Sequence, residues 1–145
     1  MKRYILLLCM LMAACGELEN PIPNYPVHLE LDLTTYRDRT LRDVPSSRAY
    51  TVKDININIE RVGFGGVLVV HATDGLFYAF DLACPHEANR NTLIEADENI
   101  LNAICPKCGT KYDIAFGSGA PNGVSKNYLK RYTIVEAGTR LTVSN

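Results

Sequence analysis

Two short chelating patterns stand close together in this chain: Cys84-Pro85-His86, then eighteen residues, then Cys105-Pro106-Lys107-Cys108. No other feature restricts the fold as much. Two loops that each offer two soft or borderline ligands must converge if they share one centre. They can surround a single ion tetrahedrally, or place two ligands on each iron of a binuclear cluster. Each pattern begins Cys-Pro, and proline removes a backbone donor and stiffens the loop beside the ligand. A plainer reading stays open: Cys105 and Cys108 form a C-x-x-C disulfide or redox pair, with Cys84 free and buried. That reading leaves Cys84 and the C-x-H spacing without a role. His28 falls on the polar face of a strand-like stretch, and His71 follows an apolar run, so both read as strand residues rather than ligands.

The other two cysteines of the five, Cys9 and Cys15, sit in a segment of different character. Lys2 and Arg3 form a positive start, residues 5–12 an apolar stretch too short to span a bilayer, and Ala13-Ala14 precede Cys15. This resembles the bacterial lipobox, with Met12 where leucine is usual. The resemblance implies cleavage after residue 14, a lipid on Cys15, and a place in the bacterial cell envelope, attached to a membrane. Cleavage would leave 131 residues with 13 basic against 16 acidic side chains, a net charge of −3 that gives no help on an anionic bilayer. Attachment would rest on the lipid. An exported chain with three remaining thiols risks oxidation or mispairing unless something occupies all three. The whole chain is near neutral, 15 Lys+Arg against 16 Asp+Glu, so no basic footprint for nucleic acid exists. Pro21, Pro23 and Pro26 predict an extended tether over 15–26. At ~3.1 Å per residue it would hold the domain ~30 Å off the surface.

The body, 27–145, reads as one all-β domain, a small sandwich or barrel. Residues 27–33 alternate apolar and polar. Residues 34–47 are polar, an excursion. A short strand is expected over 48–53, and another extended piece where Ile55, Ile57 and Ile59 alternate with polar residues. Gly63-Phe64-Gly65-Gly66 breaks the chain before 67–70, a β-branched run suited to a buried strand. Thr73-Asp74-Gly75 predicts a hairpin into 76–82. Strands are expected over 100–104 and 110–114, with a closing hairpin of 131–136 and 140–144. No Ser/His/Asp set or paired-carboxylate motif stands out, and Gly117-x-Gly119 lacks the setting of a dinucleotide loop.

These residues resemble a Rieske-type [2Fe-2S] domain, whose pattern is C-x-H, some 15 to 20 residues, then C-x-x-H. Tyr78-Ala79-Phe80-Asp81-Leu82-Ala83 leads into the first loop as a strand does in that family. Gly109-Thr110-Lys111-Tyr112-Asp113 resembles the segment after its second loop, and 117–123, with Ala120-Pro121, resembles its proline loop. The resemblance covers about 67–143, with cluster loops over about 83–123. It implies that Cys84 and Cys105 hold an inner iron and that His86 and Cys108 hold an outer one. Cys108 stands where the family has its second histidine. A thiolate in place of a neutral imidazole makes the oxidised cluster more negative and should lower its potential toward the all-cysteine range. The same Cys84, His86, Cys105 and Cys108 set also suits a structural Zn²⁺, and spacing does not choose between them. The family's high-potential members carry an extra disulfide between the loops; with no cysteines for one here, metal and local packing must hold them.

The expectation is therefore an electron carrier or redox subunit, with an unnamed redox protein as partner, rather than a stand-alone enzyme. Two other classes stay in view: a non-redox binding module with zinc or no metal, and a Cys105/Cys108 thiol–disulfide protein.

Overall fold

The computed structural model describes residues 19–145. The expected signal segment 1–14 and Cys15 lie outside them. The strands in chain order are β1 (Val27–Asp32), β2 (Ser46–Tyr50), β3 (Arg61–Val62), β4 (Val67–His71), β5 (Phe77–Asp81), β6 (Glu95–Ala96), β7 (Asn102–Ile104), β8 (Lys111–Asp113), β9 (Pro121–Asn122), β10 (Arg131–Ala137) and β11 (Arg140–Ser144). A single 3-10 turn, Arg39–Arg42, is the one helical element among the described residues. The domain is all-β, as its short alternating runs predict.

Seven strands form one antiparallel sheet in the order β2-β4-β5-β10-β11-β1-β3. It curls around a first core of Leu29, Leu31, Val67, Val69, Leu141 and Val143 with Tyr50 and Tyr132. The remaining four, β6-β7-β8-β9, make a small sheet. Between the two sheets lies a second core that holds Leu68, Val70, Phe80, Ile94, Ala103 and Ile114, and also Cys84 and Cys105. Strand β4 explains its own sequence. Val67 and Val69 face one core and Leu68 and Val70 the other, so the run is apolar throughout because both faces are covered. Burying four such side chains stabilises by roughly 1.5–3 kcal/mol each.

Asp81 ties the first sheet to the start of the first ligand loop. Its buried carboxylate accepts from the N–H groups of Phe64 (3.0 Å), Gly65 (3.1 Å) and Ala83 (2.7 Å) and from the hydroxyl of Tyr132 (2.5 Å). The Gly63-Phe64-Gly65-Gly66 break is needed here. A Cβ on Gly65 would lie 2.6 Å from the Ala83 nitrogen.

Three expectations require correction. Ile55, Ile57 and Ile59 do not form a strand: the chain turns there, with Glu60 N–H donating to Asn56 O (2.8 Å) and the Glu60 carboxylate accepting from Asn56 N–H (2.8 Å). Ile57 and Ile59 point into solvent. Asn and Asp side chains offer the backbone local partners that outcompete a ladder, and period-2 hydrophobicity alone does not reveal that. The second strand also lies earlier than expected, at Ser46–Tyr50, because the chain turns after it: Asp54 N–H donates to Thr51 O, and the Asp54 carboxylate accepts from the Thr51 N–H and hydroxyl.

The third correction concerns the proline-rich segment. From Asn20 onward it lies against the domain instead of standing free. Ile22 is only 2% exposed. Lys130 Nζ donates to Ile22 O (3.1 Å), Pro23 O (3.0 Å) and Asn24 Oδ1 (3.3 Å). Asn145 holds Asn24 and Tyr25. Proline removes donors from the strap, so its free carbonyls are what the domain grips.

Candidate metal centre

Each ligand loop is closed by its own first cysteine. The Cys84 N–H donates to Thr92 O (3.0 Å), while the Cys84 carbonyl accepts from Ala88 N–H (2.9 Å). In the second loop, the hairpin between β7 and β8, the Cys105 N–H donates to Thr110 O (3.0 Å) and the Cys105 carbonyl accepts from Gly109 N–H (2.9 Å). Gly109 turns the chain with φ +72°, a left-handed conformation that glycine adopts without strain. The two loops are thus built alike, and both project their first sulfur inward.

The sulfurs of Cys84, Cys105 and Cys108 all lie within 4.8 Å of one another. Cys84 and Cys105 are sealed from solvent and Cys108 is half-buried; none is in a disulfide. Cys84 Sγ stands 3.8 Å from Cys108 Sγ. Two hydroxyls reach the same cluster. Tyr112 Oη is 3.3 Å from Cys84 Sγ, and Thr110 Oγ1 is 3.3 Å from Cys108 Sγ. Strand alternation after the Gly109 turn puts Thr110 and Tyr112 on one face, toward the sulfurs. Thr110 is in turn fixed by Ser125, whose N–H donates to Thr110 Oγ1 (3.2 Å). The segment 117–123 backs this face: β9 pairs with β8, and a Cβ on Gly123 would lie 2.9 Å from Thr110 Cα.

The electrostatics differ between the thiols. Burial pushes the Cys105 thiol up to about 11, against hydrogen bonds from the Cys108 and Lys107 backbone. Burial also works to raise Cys108, but hydrogen bonds with Thr110, Cys105 and Cys84 together bring that thiol below its ordinary value. Burial and the Cys84 contact push the Tyr112 phenol well above its ordinary value, so it stays protonated.

Of the four ligands expected from sequence, the structure brings together three. His86 is solvent-exposed and stands outside the group of sulfurs. His71 ends β4, where its ring stacks on Phe77 and Nδ1 lies 2.8 Å from Leu41 O; His28 is exposed beside Glu30. Two neighbours were not expected as partners. Tyr112 was visible as part of a strand and of the segment after the second loop, with no sign of its contact to Cys84. The ion pair of Lys107 Nζ with Glu87 Oε2, at 2.5 Å, joins residues of opposite loops and leaves no sequence signal at all.

The donor set fits a thiophilic metal. Three thiols converge without a disulfide, and two hydroxyls are aimed at sulfur, where thiolate charge would be met by donors. Zn–S bonds of ~2.3 Å at tetrahedral angles place sulfurs ~3.8 Å apart, the separation between Cys84 and Cys108.

No family model matches the chain, and no curated protein matches it. Among solved structures the chain is similar to the ferredoxin of carbazole 1,9a-dioxygenase from Nocardioides aromaticivorans IC177, at 21% identity over 83% of this chain and 95% of that one, with a TM-score of 0.46.

Proposed function

We propose that this chain is an iron–sulfur electron-transfer protein of the Rieske type, with a [2Fe-2S] cluster held by Cys84, His86, Cys105 and Cys108, and that a lipid on Cys15 tethers it in the bacterial cell envelope. One observation carries the reading: three thiols, unpaired with one another, meet at the tips of two matched loops. Bound there, the cluster would supply one-electron chemistry. Cys84 and Cys105 would anchor its buried side, with Tyr112 donating to the Cys84 sulfur. Cys108 and His86 would hold its outer side, with Thr110 donating to Cys108. His86 is the most exposed of the four and gives a partner redox protein its point of approach. The chain carries electrons, and substrate chemistry belongs to that partner.

A second reading has its own support. In the first, Cys84 and Cys108 would hold different irons. Their 3.8 Å separation instead suits two ligands on one tetrahedral ion. That ion would be a structural Zn²⁺, and the domain a binding module.

The test is to purify the chain anaerobically and measure iron, zinc and acid-labile sulfide with a visible spectrum. Two irons and two sulfides per chain, bleached by dithionite, support the carrier. One zinc supports the module, and a metal-free protein with oxidised thiols overturns both. In the carrier, Cys84→Ala or Cys105→Ala should abolish cluster incorporation, and Cys108→His should raise the potential. An unchanged or lower potential would sink the ligand assignment. Full-length chain expressed in bacteria should incorporate labelled fatty acid and partition into detergent, and Cys15→Ser should do neither. Equal labelling of both would refute the anchor.

A further inference from the structure

The two ligand loops come from different parts of the second core. Loop 84–92 follows β5, whereas loop 105–110 is a hairpin of the small sheet. At their tips they meet through the cysteine sulfurs, which a metal would draw together, and through one ion pair. Lys107 stands between Cys105 and Cys108, and Glu87 follows His86. Their Nζ and Oε2 are 2.5 Å apart. Among the described residues this is the one ion pair that joins the two loops. It is also lopsided. The Glu87 side chain is 13% exposed, whereas that of Lys107 is 64% exposed. Most exposed pairs contribute little, because water screens them and both side chains lose freedom. Here the carboxylate has already left water, so the lysine is its compensation.

We infer that Glu87 and Lys107 form a latch across the mouth of the metal centre. It holds the loops together and fixes the backbone next to His86, whose exposed ring has no other restraint in the described contacts. Both act as positioning residues. The inference rests on the reading of these loops as a metal centre, but it holds for iron or zinc alike. The asymmetry gives it a distinctive signature. Removing Lys107 strands a nearly buried charge, while removing the charge of Glu87 leaves an ammonium that water already solvates. Neutralising Glu87 after Lys107 is lost should therefore repair part of the damage.

The experiment loads the full chain with the metal it is purified with and follows its transfer to an excess of chelator. Lys107→Met should release metal about tenfold faster than the parent and Glu87→Gln about threefold faster. The double variant Glu87→Gln/Lys107→Met should be slower than Lys107→Met alone, and Lys107→Arg should stay near the parent rate. In metal-free protein under reductant, Cys84 should be alkylated about tenfold faster in Lys107→Met than in the parent, with the double variant again between them. Effects that simply add, or a Lys107→Met variant that matches the parent in both measurements, would overturn the latch. If the purified chain holds no metal, the proposed function fails, while the alkylation series still decides the latch.

Discussion

The phenolic oxygen of Tyr112 stands 3.3 Å from the sulfur of Cys84, and both side chains are sealed from solvent. One end of the ring packs in the second core with Ile94 and Ile114, and the other presents its only polar group to the Cys84 sulfur. A buried hydroxyl without a partner would be unfavourable by about 1–3 kcal/mol, so this contact serves the fold as well as the centre. It also sets the charge that the sulfur tolerates, because a hydrogen bond to thiolate favours the more negative state of whatever the sulfur binds.

Tyr112→Phe removes that bond and little else. With a cluster bound, the reduced and more negative state loses the larger stabilisation, so the potential should fall. A loss of ~1–1.4 kcal/mol corresponds to ~40–60 mV for one electron. Voltammetry of both proteins measures it, and a rise in potential would contradict the donor role of Tyr112.

Asp81→Ala strips the acceptor from three backbone N–H groups and the Tyr132 hydroxyl. With four donors orphaned in a buried place, the loss should be about 3–5 kcal/mol. Urea unfolding monitored by fluorescence should show a lower midpoint at an unchanged slope. Because Ala83 directly precedes Cys84, the same variant should also loosen the first ligand loop. Hydrogen exchange at 83–92 would reveal it.

Alkaline pH should unfold the domain through its buried phenols. Burial, with the Asp38 carboxylate beside it, pushes Tyr50 well above its ordinary value of 10.0; burial and Asp81 do the same to Tyr132. A folded-state value raised above the unfolded one means stability that is complete below about pH 10 and lost as the pH climbs beyond it. Difference absorbance should show Tyr50 and Tyr132 ionising only as the fold is lost. Simultaneous titration of all tyrosines in a folded chain would count against this network.

Ile22→Asp should detach the strap of residues 20–26 and leave the sheets in place. Its burial makes a charge unfavourable there, yet the damage is bounded by the docking free energy of one short segment. Hydrogen exchange should quicken at the Tyr25 N–H, which donates to Pro23 O, and at the Val27 N–H, which donates to Asn145 Oδ1, and not at β4 or β5. Global unfolding at a much lower urea concentration would show that the strap is part of the cooperative core.

Some of this was legible in one dimension because it depends on local pattern. Alternation marked β1, a continuous apolar run marked β4, and Thr73-Asp74-Gly75 marked the hairpin that joins β4 to β5. The convergence of Cys84, Cys105 and Cys108 was legible from spacing, since two short chelating loops have few ways to satisfy three thiols. The Ile55–Ile57–Ile59 alternation misled because the turn chemistry of Asn56 and Glu60 competes locally with pairing, and no neighbouring strand was there to decide for the ladder.

By itself, then, the sequence determined the all-β class, the strands that are buried on both faces, and the cysteines that meet. Each follows from side-chain period or from ligand spacing along the chain. Only the tertiary structure decided the rest. It brought Tyr112 onto Cys84, Glu87 onto Lys107, and the strap at Ile22 onto Lys130, and it left His86 in solvent. Those relationships join residues whose separation in sequence carries no periodic signal. They arise when two sheets close on a shared core and dictate which polar groups must find partners there.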